Sequence, residues 1–210
     1  MSRIIVALLS GVSVGLAIGL SAGSTSMLSA GLSLDRTKEE AVYRGRPAIF
    51  WIRQLKDRDS SLRQQAMWAL SRLGPKQEGV VTALAEMLHD KSEGVRFDAA
   101  VNLGRMGPEA ASAAPLLLVA LHDEDQFVRL GAVCALASIW PDDDAVLTAL
   151  AAALKDSSPM VRRRTLNILA ELGPRALAAL TAVSEALKDG EPEVCQAAAD
   201  ALDKIKRRID

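Results

Sequence analysis

The chain has 210 residues, enough for one or two ordinary domains with a hydrophobic core. Alanine (35 residues) and leucine (30) make up nearly a third of it and aromatic residues only 3%, a composition that favours helices over sheets. The 25 Lys and Arg residues are balanced by 26 Asp and Glu residues, so no global basic field is available to hold nucleic acid. With two His, two Cys and one Tyr, the side chains that usually bind metals or transfer protons are scarce.

The first segment of the chain is long and apolar. No charged residue occurs between Arg3 and Asp35, and the 19 residues 4–22 would span about 28 Å as a helix, close to the thickness of a bilayer's hydrocarbon core. We predict that residues 1–22 are a membrane anchor or a signal segment. The length favours an anchor, because the apolar part of a signal peptide is normally about 7–15 residues, whereas the small residues at 21–30 would suit cleavage.

The charges around this segment predict its orientation. Arg3 and the terminal amine prefer the cytoplasmic side. We therefore expect the cell membrane as location with the rest of the chain outside the cytoplasm, or a secreted or periplasmic protein if the segment is cleaved. Glycines recur every four residues here, which places them on one helix face where two backbones can approach closely in lipid. We predict self-association through this row, the alternative being that glycine is simply frequent in such segments. The row consists of Gly11, Gly15, Gly19 and Gly23.

Residues 23–46, rich in Ser and Gly as far as Lys38, are predicted to be a spacer and a lead-in to a repeat domain over 47–210. In that domain the sequence repeats every 33 residues, and we number each unit from a reference leucine. Apolar residues lie at −7, −4 and 0, and again at +7, +11, +12, +15 and +18, which is helical spacing; Gly-Pro follows three units and terminates a helix. Two helices per unit predict an all-α fold, an α-solenoid of five 33-residue helical hairpins preceded by the N-terminal apolar helix. The reference leucines are Leu55, Leu88, Leu121, Leu154 and Leu187.

A charged pair recurs in the same register. An aspartate stands at +2 of every unit and an arginine at +8 of the first four, with Cys195 in its place in the fifth. Together with unit sequences such as GPEAASAAPLLLVALHDEDQFVRLGAVCALASI, the pattern resembles HEAT repeats of the short, Ala-rich type found in phycobilisome-lyase-like proteins, over residues 47–207. The lead-in YRGRP at 43–47 is also similar to bacterial envelope-associated HEAT proteins. The resemblance implies that the aspartates and arginines form a structural ladder that links successive repeats. The departure at Cys195 and the basic ending of the fifth unit predict that this unit is a terminal cap. The ladder residues are Asp57, Asp90, Asp123, Asp156, Asp189, Arg63, Arg96, Arg129 and Arg162.

The few histidines and cysteines do not form a catalytic or metal-binding set. His89 and His122 stand 33 residues apart at +1, where the other units have lysine, so we predict a cationic surface column near helix C-termini and no metal site. Cys134 and Cys195 lie two repeats apart, beyond the Cα separation of about 7 Å that a disulfide spans. Since no Ser-His-Asp set or phosphate-binding glycine loop can be assembled, we predict no catalytic residue, no cofactor and no enzyme activity.

Apolar residues occupy second-helix positions that face away from the predicted core. Positions +6, +9 and +13 lie opposite the buried face, which in HEAT-like solenoids is the concave side, and in the first four units they are largely apolar. Position +16 is small in most units, as at Gly104, and we expect this to leave the surface accessible. An apolar strip of this kind indicates a binding site for a protein or peptide, although close packing or self-contact would also explain it. We expect Arg163, Arg72 and Arg105 to flank the strip and to orient an acidic partner segment. The concave strip consists of Trp68, Phe97, Val101, Phe127, Leu130, Met160 and Arg163.

The function predicted from these patterns is a non-catalytic protein–protein interaction scaffold, exported or membrane-anchored, that binds a protein or peptide on its concave face. No nucleic-acid partner is expected. Two alternatives stay open. One is an enzyme subunit of the chromophore-lyase type, which only the resemblance suggests and which the export segment argues against. The other is a purely structural membrane-tethered spacer.

Overall fold

The computed structural model describes residues 41–141 and 143–207 of the chain. The predicted anchor or signal segment (1–22), its glycine row and most of the predicted spacer lie outside these residues. The described residues comprise the short lead-in and the repeat domain as far as Arg207.

The described part begins with a β-hairpin that the sequence analysis did not predict. Strand β1 (Val42–Tyr43) pairs antiparallel with β2 (Arg46–Pro47). The two residues between them, Arg44 and Gly45, both have positive φ, 50° and 69°, which is the backbone of a two-residue hairpin turn. The opposed residues are Val42 and Pro47, then Tyr43 and Arg46.

Within the described residues ten α-helices follow, two in each of five repeats, so the predicted solenoid of helical hairpins is confirmed. The first helices are α1 (Ala48–Gln54), α3 (Val80–Glu86), α5 (Ala114–Ala120), α7 (Asp144–Ala153) and α9 (Leu180–Glu185). The second helices are α2 (Ser60–Leu73), α4 (Glu93–Met106), α6 (Gln126–Ile139), α8 (Pro159–Leu172) and α10 (Pro192–Lys206). Short 3-10 segments adjoin α3, α5 and α9 at Met87–His89, Gly107–Ala113, Gly173–Ala179 and Ala186–Lys188.

Two second helices begin at a side-chain cap and three end at a glycine. The carboxylate of Asp59 accepts a hydrogen bond from the backbone N–H of Ser61 at the start of α2, and Asp125 caps α6 in the same way. Three second helices end at a glycine with φ between +57° and +89°, a region that an L side chain rarely adopts. These residues are Gly74, Gly107 and Gly173.

One continuous apolar core runs through the five repeats. The reference leucines Leu55, Leu88 and Leu154 are at most 5% exposed, as the register predicts. Leu121 is half-buried, and Leu187 in the fifth repeat is 43% exposed, because no described element packs beyond α9 and α10 to cover it.

Residue size sets the spacing between successive second helices. Helices α4 and α6 have the most extensive contact, and a Cβ on Gly104 would lie only 2.9 Å from the Cα of Ala135. Helices α8 and α10 are also close, and there positions +10 and +14 of α10 are Ala197 and Ala201, both buried. The contacts of α2 with α4 and of α6 with α8 are smaller, because the same two positions hold larger residues. Those residues are Asp98 and Asn102 in α4, and Arg164 and Ile168 in α8.

The small +16 residues also have a packing role, which the sequence did not reveal. Gly104 is small because α6 needs its space, and Ala170 at the same position of α8 is 6% exposed. Successive second helices pack along one another, whereas successive first helices touch at fewer points. A stack that is tighter along its second helices bends toward them, which puts the second-helix faces on the concave side.

One described stretch, Pro159–Lys188, has the length and apolar character of a membrane-spanning helix. In the structure it is not one straight helix, because α8 ends before Gly173 and a 3-10 segment separates it from α9. Its large apolar residues Leu166 and Leu169 are fully buried in the repeat core, so its composition is explained by packing between repeats.

Candidate protein-binding surface

A ladder of arginine–aspartate pairs holds the repeats in register. Each arginine at +8 donates through Nε and a terminal nitrogen to both carboxylate oxygens of the aspartate in the next repeat. The nitrogen–oxygen distances lie between 2.6 and 2.8 Å. This two-pronged geometry fixes both the distance and the orientation of adjacent units. The pairs are Arg63–Asp90, Arg96–Asp123, Arg129–Asp156 and Arg162–Asp189.

Each arginine of the ladder also holds the turn of its own repeat. The third guanidinium nitrogen of Arg129 donates to the carbonyl oxygen of Asp123, six residues earlier, at 2.9 Å. The Asp123 carboxylate accepts a hydrogen bond from the backbone N–H of Asp125 at 2.9 Å, which closes the turn before α6. The other three arginines repeat this arrangement. One pair of side chains therefore ties together two turns and two repeats.

The ladder ends where the pattern ends. The carboxylate of Asp57 in the first repeat accepts from the backbone N–H of Asp59, and among the described residues no arginine reaches it from an earlier repeat. Cys195 occupies the arginine position of the fifth repeat, and its thiol donates to the carbonyl of Asp189 at 3.1 Å. Cys195 thus keeps the hydrogen bond within the turn and lacks the pair that an arginine would form with a further repeat.

The pKa of the four aspartates that are paired with an arginine is lowered. For Asp123, burial acts to raise the pKa, but the hydrogen bonds from Arg96 and from the backbone N–H of Asp125, with the charges of Arg96 and Arg129, outweigh it. The same balance lowers the pKa of Asp90 and Asp156. At Asp189 the hydrogen bond from Arg162 is the largest influence on the pKa, which is lowered as well.

This lowering predicts loss of stability in acid. Below the ordinary aspartate pKa of 3.8 the unfolded chain binds protons that the folded ladder does not, so acid favours unfolding. We expect the free energy of unfolding, measured by urea titration, to stay level from about pH 7 to 5 and to fall steeply below about pH 4. An Asp123→Asn variant, with one titrating group fewer, should lose less stability over that interval than the wild type. A wild-type profile that stayed level to about pH 3 would contradict the prediction.

The structure places the seven residues of the concave strip along the second helices α2, α4, α6 and α8, with unequal exposure. Trp68 and Phe127 are the most open large apolar residues of the strip, 47% and 49% exposed, and Arg163 is exposed as well. The remaining four are half-buried: Phe97, Val101, Leu130 and Met160. The surface is therefore accessible, with two aromatic side chains standing out from an apolar floor.

Trp68 forms an aromatic group with a residue that the sequence analysis left out of the site. The ring of Tyr43, from the hairpin, meets the Trp68 ring edge-on at 5.2 Å and lies 6.0 Å from the ring of Trp51. The guanidinium of Arg72 lies 5.9 Å from the Trp68 ring centre. The repeat register could not reveal Tyr43, because the hairpin lies outside the repeat.

Phe97 has a packing role in addition to its place in the strip. A Cβ on Gly131 would lie 3.3 Å from this ring and 3.1 Å from the Cβ of Ala100, so the glycine allows α6 to approach α4 closely. Leu130 and Cys134 also pack against the core from this face. Some residues of the strip therefore both pack against the core and line the surface, and the sequence alone did not distinguish these two roles.

The basic residues expected to orient a partner differ in their surroundings. Arg163 is paired with Glu193 of the fifth repeat, beside a groove of about 400 Å³ between the first turns of α8 and α10 that Met160 also lines. Arg72 is held over Trp68. Arg105 is exposed at the end of α4, and no described carboxylate lies within ion-pair distance of it.

The histidines and cysteines do not form a common site in the part of the chain that the structure describes. His89 and His122 are both exposed, and among residues 41–141 and 143–207 no group of three or more His, Cys, Asp or Glu side chains is arranged to hold a metal ion. Cys134 and Cys195 are both free thiols. The sulfur of Cys134 accepts a hydrogen bond from the Nε of Arg164 at 3.4 Å, across the wider gap between α6 and α8.

Solved structures of similar fold include natural and designed repeat proteins. The complex of CpcE and CpcF of phycocyanin lyase from Nostoc sp. PCC7120 matches with a TM-score of 0.62 at 25% identity, over 81% of this chain and 70% of that chain. A designed armadillo repeat protein in complex with the peptide (KR)4 matches with a TM-score of 0.56 at 22% identity, over 74% of this chain and 80% of that one. Cex1p matches with a TM-score of 0.62 at 20% identity over 75% of this chain, which spans 35% of Cex1p.

No curated protein matches the chain closely enough to count as a relative. The match to a family profile is extensive, because the profile described as HEAT repeats covers residues 49–137, 81–158 and 146–208, well over half of the sequence. It spans the same five helical hairpins that the ladder joins. The chain therefore belongs to the HEAT-repeat family.

Proposed function

We propose that the protein is a non-catalytic scaffold that binds a protein or peptide segment on its concave strip. The observation that carries the proposal is the exposure of Trp68 and Phe127 on second helices, where the repeat register requires no aromatic residue. Exposed aromatic side chains over an apolar floor are the usual anchors of a protein interface. The designed armadillo protein in complex with (KR)4 is a solenoid of similar fold that holds a peptide.

The charges beside the strip favour a partner segment that carries acidic as well as apolar residues. Arg105 is exposed without a carboxylate partner among the described residues, and Arg72 lies against an aromatic ring of the strip. At the other end, Arg163 already has Glu193 as its partner, so an acidic segment there would have to displace that exposed carboxylate. We therefore expect the acidic residues of the partner to contact the first two repeats.

Selection of peptides on the purified full chain tests this function. A random 12-residue display library is panned in detergent, and the dissociation constant of the enriched peptides is measured for the wild type and two matched variants. Trp68→Ala/Phe127→Ala removes the anchors, and Val119→Ala/Leu177→Ala removes two apolar residues outside the strip that are each 57% exposed. We expect the first variant to weaken binding by up to about 1,000-fold, because anchors of this type contribute about 2 kcal/mol each. We expect the second variant to change binding little.

Two results would contradict the proposal. If both variants bound the peptides equally, the peptides would be held elsewhere on the chain. If no peptide were enriched on the wild type, the spacer function, in which the concave face binds nothing, would be favoured instead.

The location proposed for this scaffold is the membrane. The apolar residues 4–22 would anchor it with the repeat domain outside the cytoplasm, or would be removed to leave a secreted or periplasmic form. Self-association through the glycine row belongs to the anchored form, and Gly15→Ile should abolish it in a membrane two-hybrid assay. An unchanged signal would remove the glycine row from the proposal.

A second candidate function is that of a lyase subunit, which the similarity to the CpcE–CpcF complex of phycocyanin lyase favours. A subunit of this type would bind a chromophore or take part in its attachment to an acceptor protein. Visible absorbance in the purified protein, or chromophore transfer in its presence, would support this function over the scaffold.

A further inference from the structure

The end of the solenoid formed by residues 42–53, here called the N-terminal edge, exposes apolar side chains. Val42 is 59% exposed, Ile49 51% and Phe50 36%. Terminal units of solenoids usually present a polar outer face, and α10 at the opposite end does so with exposed Asp200 and Lys204, although the apolar Leu187 beside it is also exposed. The N-terminal edge is thus not built like a cap that faces water.

The same edge carries a one-sided charge. Arg44, Arg46 and Arg53 are all exposed, and no Asp or Glu occurs from residue 41 to residue 56. Among the described residues none of the three arginines is in an ion pair. The guanidinium of Arg46 lies 4.8 Å from the ring centre of Phe50, so a cation and an exposed aromatic ring stand side by side.

We propose that the N-terminal edge binds the headgroup region of a bilayer that contains anionic phospholipid. Aliphatic and aromatic side chains enter the boundary between headgroups and acyl chains, while nearby cations bind the negatively charged surface. The guanidinium group suits lipid phosphates because its nitrogens can donate two hydrogen bonds to one phosphate. A second copy of the same edge is a poorer occupant, since it would bring three more arginines against these three.

The position of the edge in the chain agrees with this partner. The 19 residues 23–41 separate it from the apolar residues 4–22, and even fully extended they could reach no more than about 65 Å. Only this argument from position rests on the proposed anchor. The arginines and the exposed apolar residues of the N-terminal edge support the proposal without it.

The test uses the full chain in nanodiscs of phosphatidylcholine alone, or of equal parts phosphatidylcholine and phosphatidylglycerol. Hydrogen exchange read by mass spectrometry should slow several-fold in residues 42–53 with the anionic lipid and stay unchanged in residues 192–206. Arg44→Glu/Arg46→Glu/Arg53→Glu should abolish the difference, because each arginine strengthens contact with an anionic surface about fivefold. Lys188→Glu/Lys204→Glu/Lys206→Glu, with the same change in charge at exposed positions of the last repeat, should retain it.

Equal exchange in the two lipids would overturn the proposal. Hydrogen exchange in residues 42–53 that slowed with the number of chains per nanodisc, in either lipid, would also overturn the proposal and would indicate contact between copies of the chain. Flotation of the chain with neutral vesicles tests the proposed anchor separately, because an anchored chain floats with vesicles that carry no charge. If the chain does not float with neutral vesicles, the wild type and the triple arginine variant are each mixed with anionic vesicles. Equal flotation of the two would also overturn the proposal.

Discussion

Replacing Arg129 with methionine should lower the free energy of unfolding by about 3–5 kcal/mol. The arginine side chain is 12% exposed and its partner, Asp156, 9%, so the substitution leaves a carboxylate largely out of water and without its cation. The bonds from Arg129 to the carbonyls of Asp123 and Glu124 are lost as well. Methionine keeps an apolar chain of similar length in place of the arginine methylenes. The loss of stability therefore comes from the missing charge and its hydrogen bonds. Urea titration of the full chain measures it.

Arg163→Met is the matched control. Arg163 also pairs with a carboxylate of the following repeat, but its side chain is 48% exposed and that of Glu193 is 75% exposed. Exposed pairs contribute about 0–1 kcal/mol, so we expect a change within that range. If the two variants were equally stable, the ladder would not be what joins the repeats.

A double substitution separates the stability that the ion pair contributes from the cost of leaving one buried charge without its partner. Arg129→Met/Asp156→Leu removes both charges, and a buried ion pair replaced by apolar side chains is often neutral in stability. We expect the double variant to recover part of the loss caused by Arg129→Met, because Asp156→Leu also removes the hydrogen bond that the Asp156 carboxylate accepts from the backbone N–H of Ser158. No recovery would mean that the turn bonds made by Arg129 and Asp156, and not the link between repeats, account for the stability.

The fold could be predicted from the sequence because each unit repeats the same information. The leucines at the reference position, the glycines that end second helices and the Asp–Arg pairs recur at one period, and a solenoid is the arrangement in which such units bury their faces. The linking role of the Asp and Arg residues was implied by the resemblance to HEAT repeats, and the structure shows that each arginine pairs with the aspartate of the next repeat. The hairpin at 42–47 carries no such repetition, and Tyr43 was therefore missed.

The concave strip was predictable only in part, for a physical reason. Periodicity indicates which face of a helix a residue lies on, but not how close the next helix comes. Phe97 lies on the predicted face and still packs against α6, because Gly131 allows that helix to approach. Phe127 lies in the first turn of α6, clear of this contact, and stays half exposed. Distances between helices depend on pairs of residues in different repeats, and these pairs become visible only in the folded chain.

Gly104→Ala tests that dependence, and we expect it to lower the free energy of unfolding by about 1–3 kcal/mol. In an open helix interior the same change would stabilise by about 0.5–1 kcal/mol, because alanine is the better helix former. Here the new Cβ would lie 2.9 Å from the Cα of Ala135 and 3.2 Å from its Cβ. Backbone cannot move aside as a flexible side chain can, so α4 and α6 must separate and lose contacts along their length.

Gly94→Ala in the same helix is the control that fixes the sign. Its Cβ would meet only the end of the Gln64 side chain at 3.4 Å and the hydroxyl of Ser92 at 3.8 Å, and both can adjust. We therefore expect Gly94→Ala to leave stability unchanged or to raise it by up to about 1 kcal/mol. Opposite signs for the two alanines, measured by the same urea titration, would show that the missing side chain at residue 104 sets the distance between the second and third repeats. Stabilisation by both would mean that the two helices can separate at no cost, and that the curvature of the concave face does not depend on Gly104.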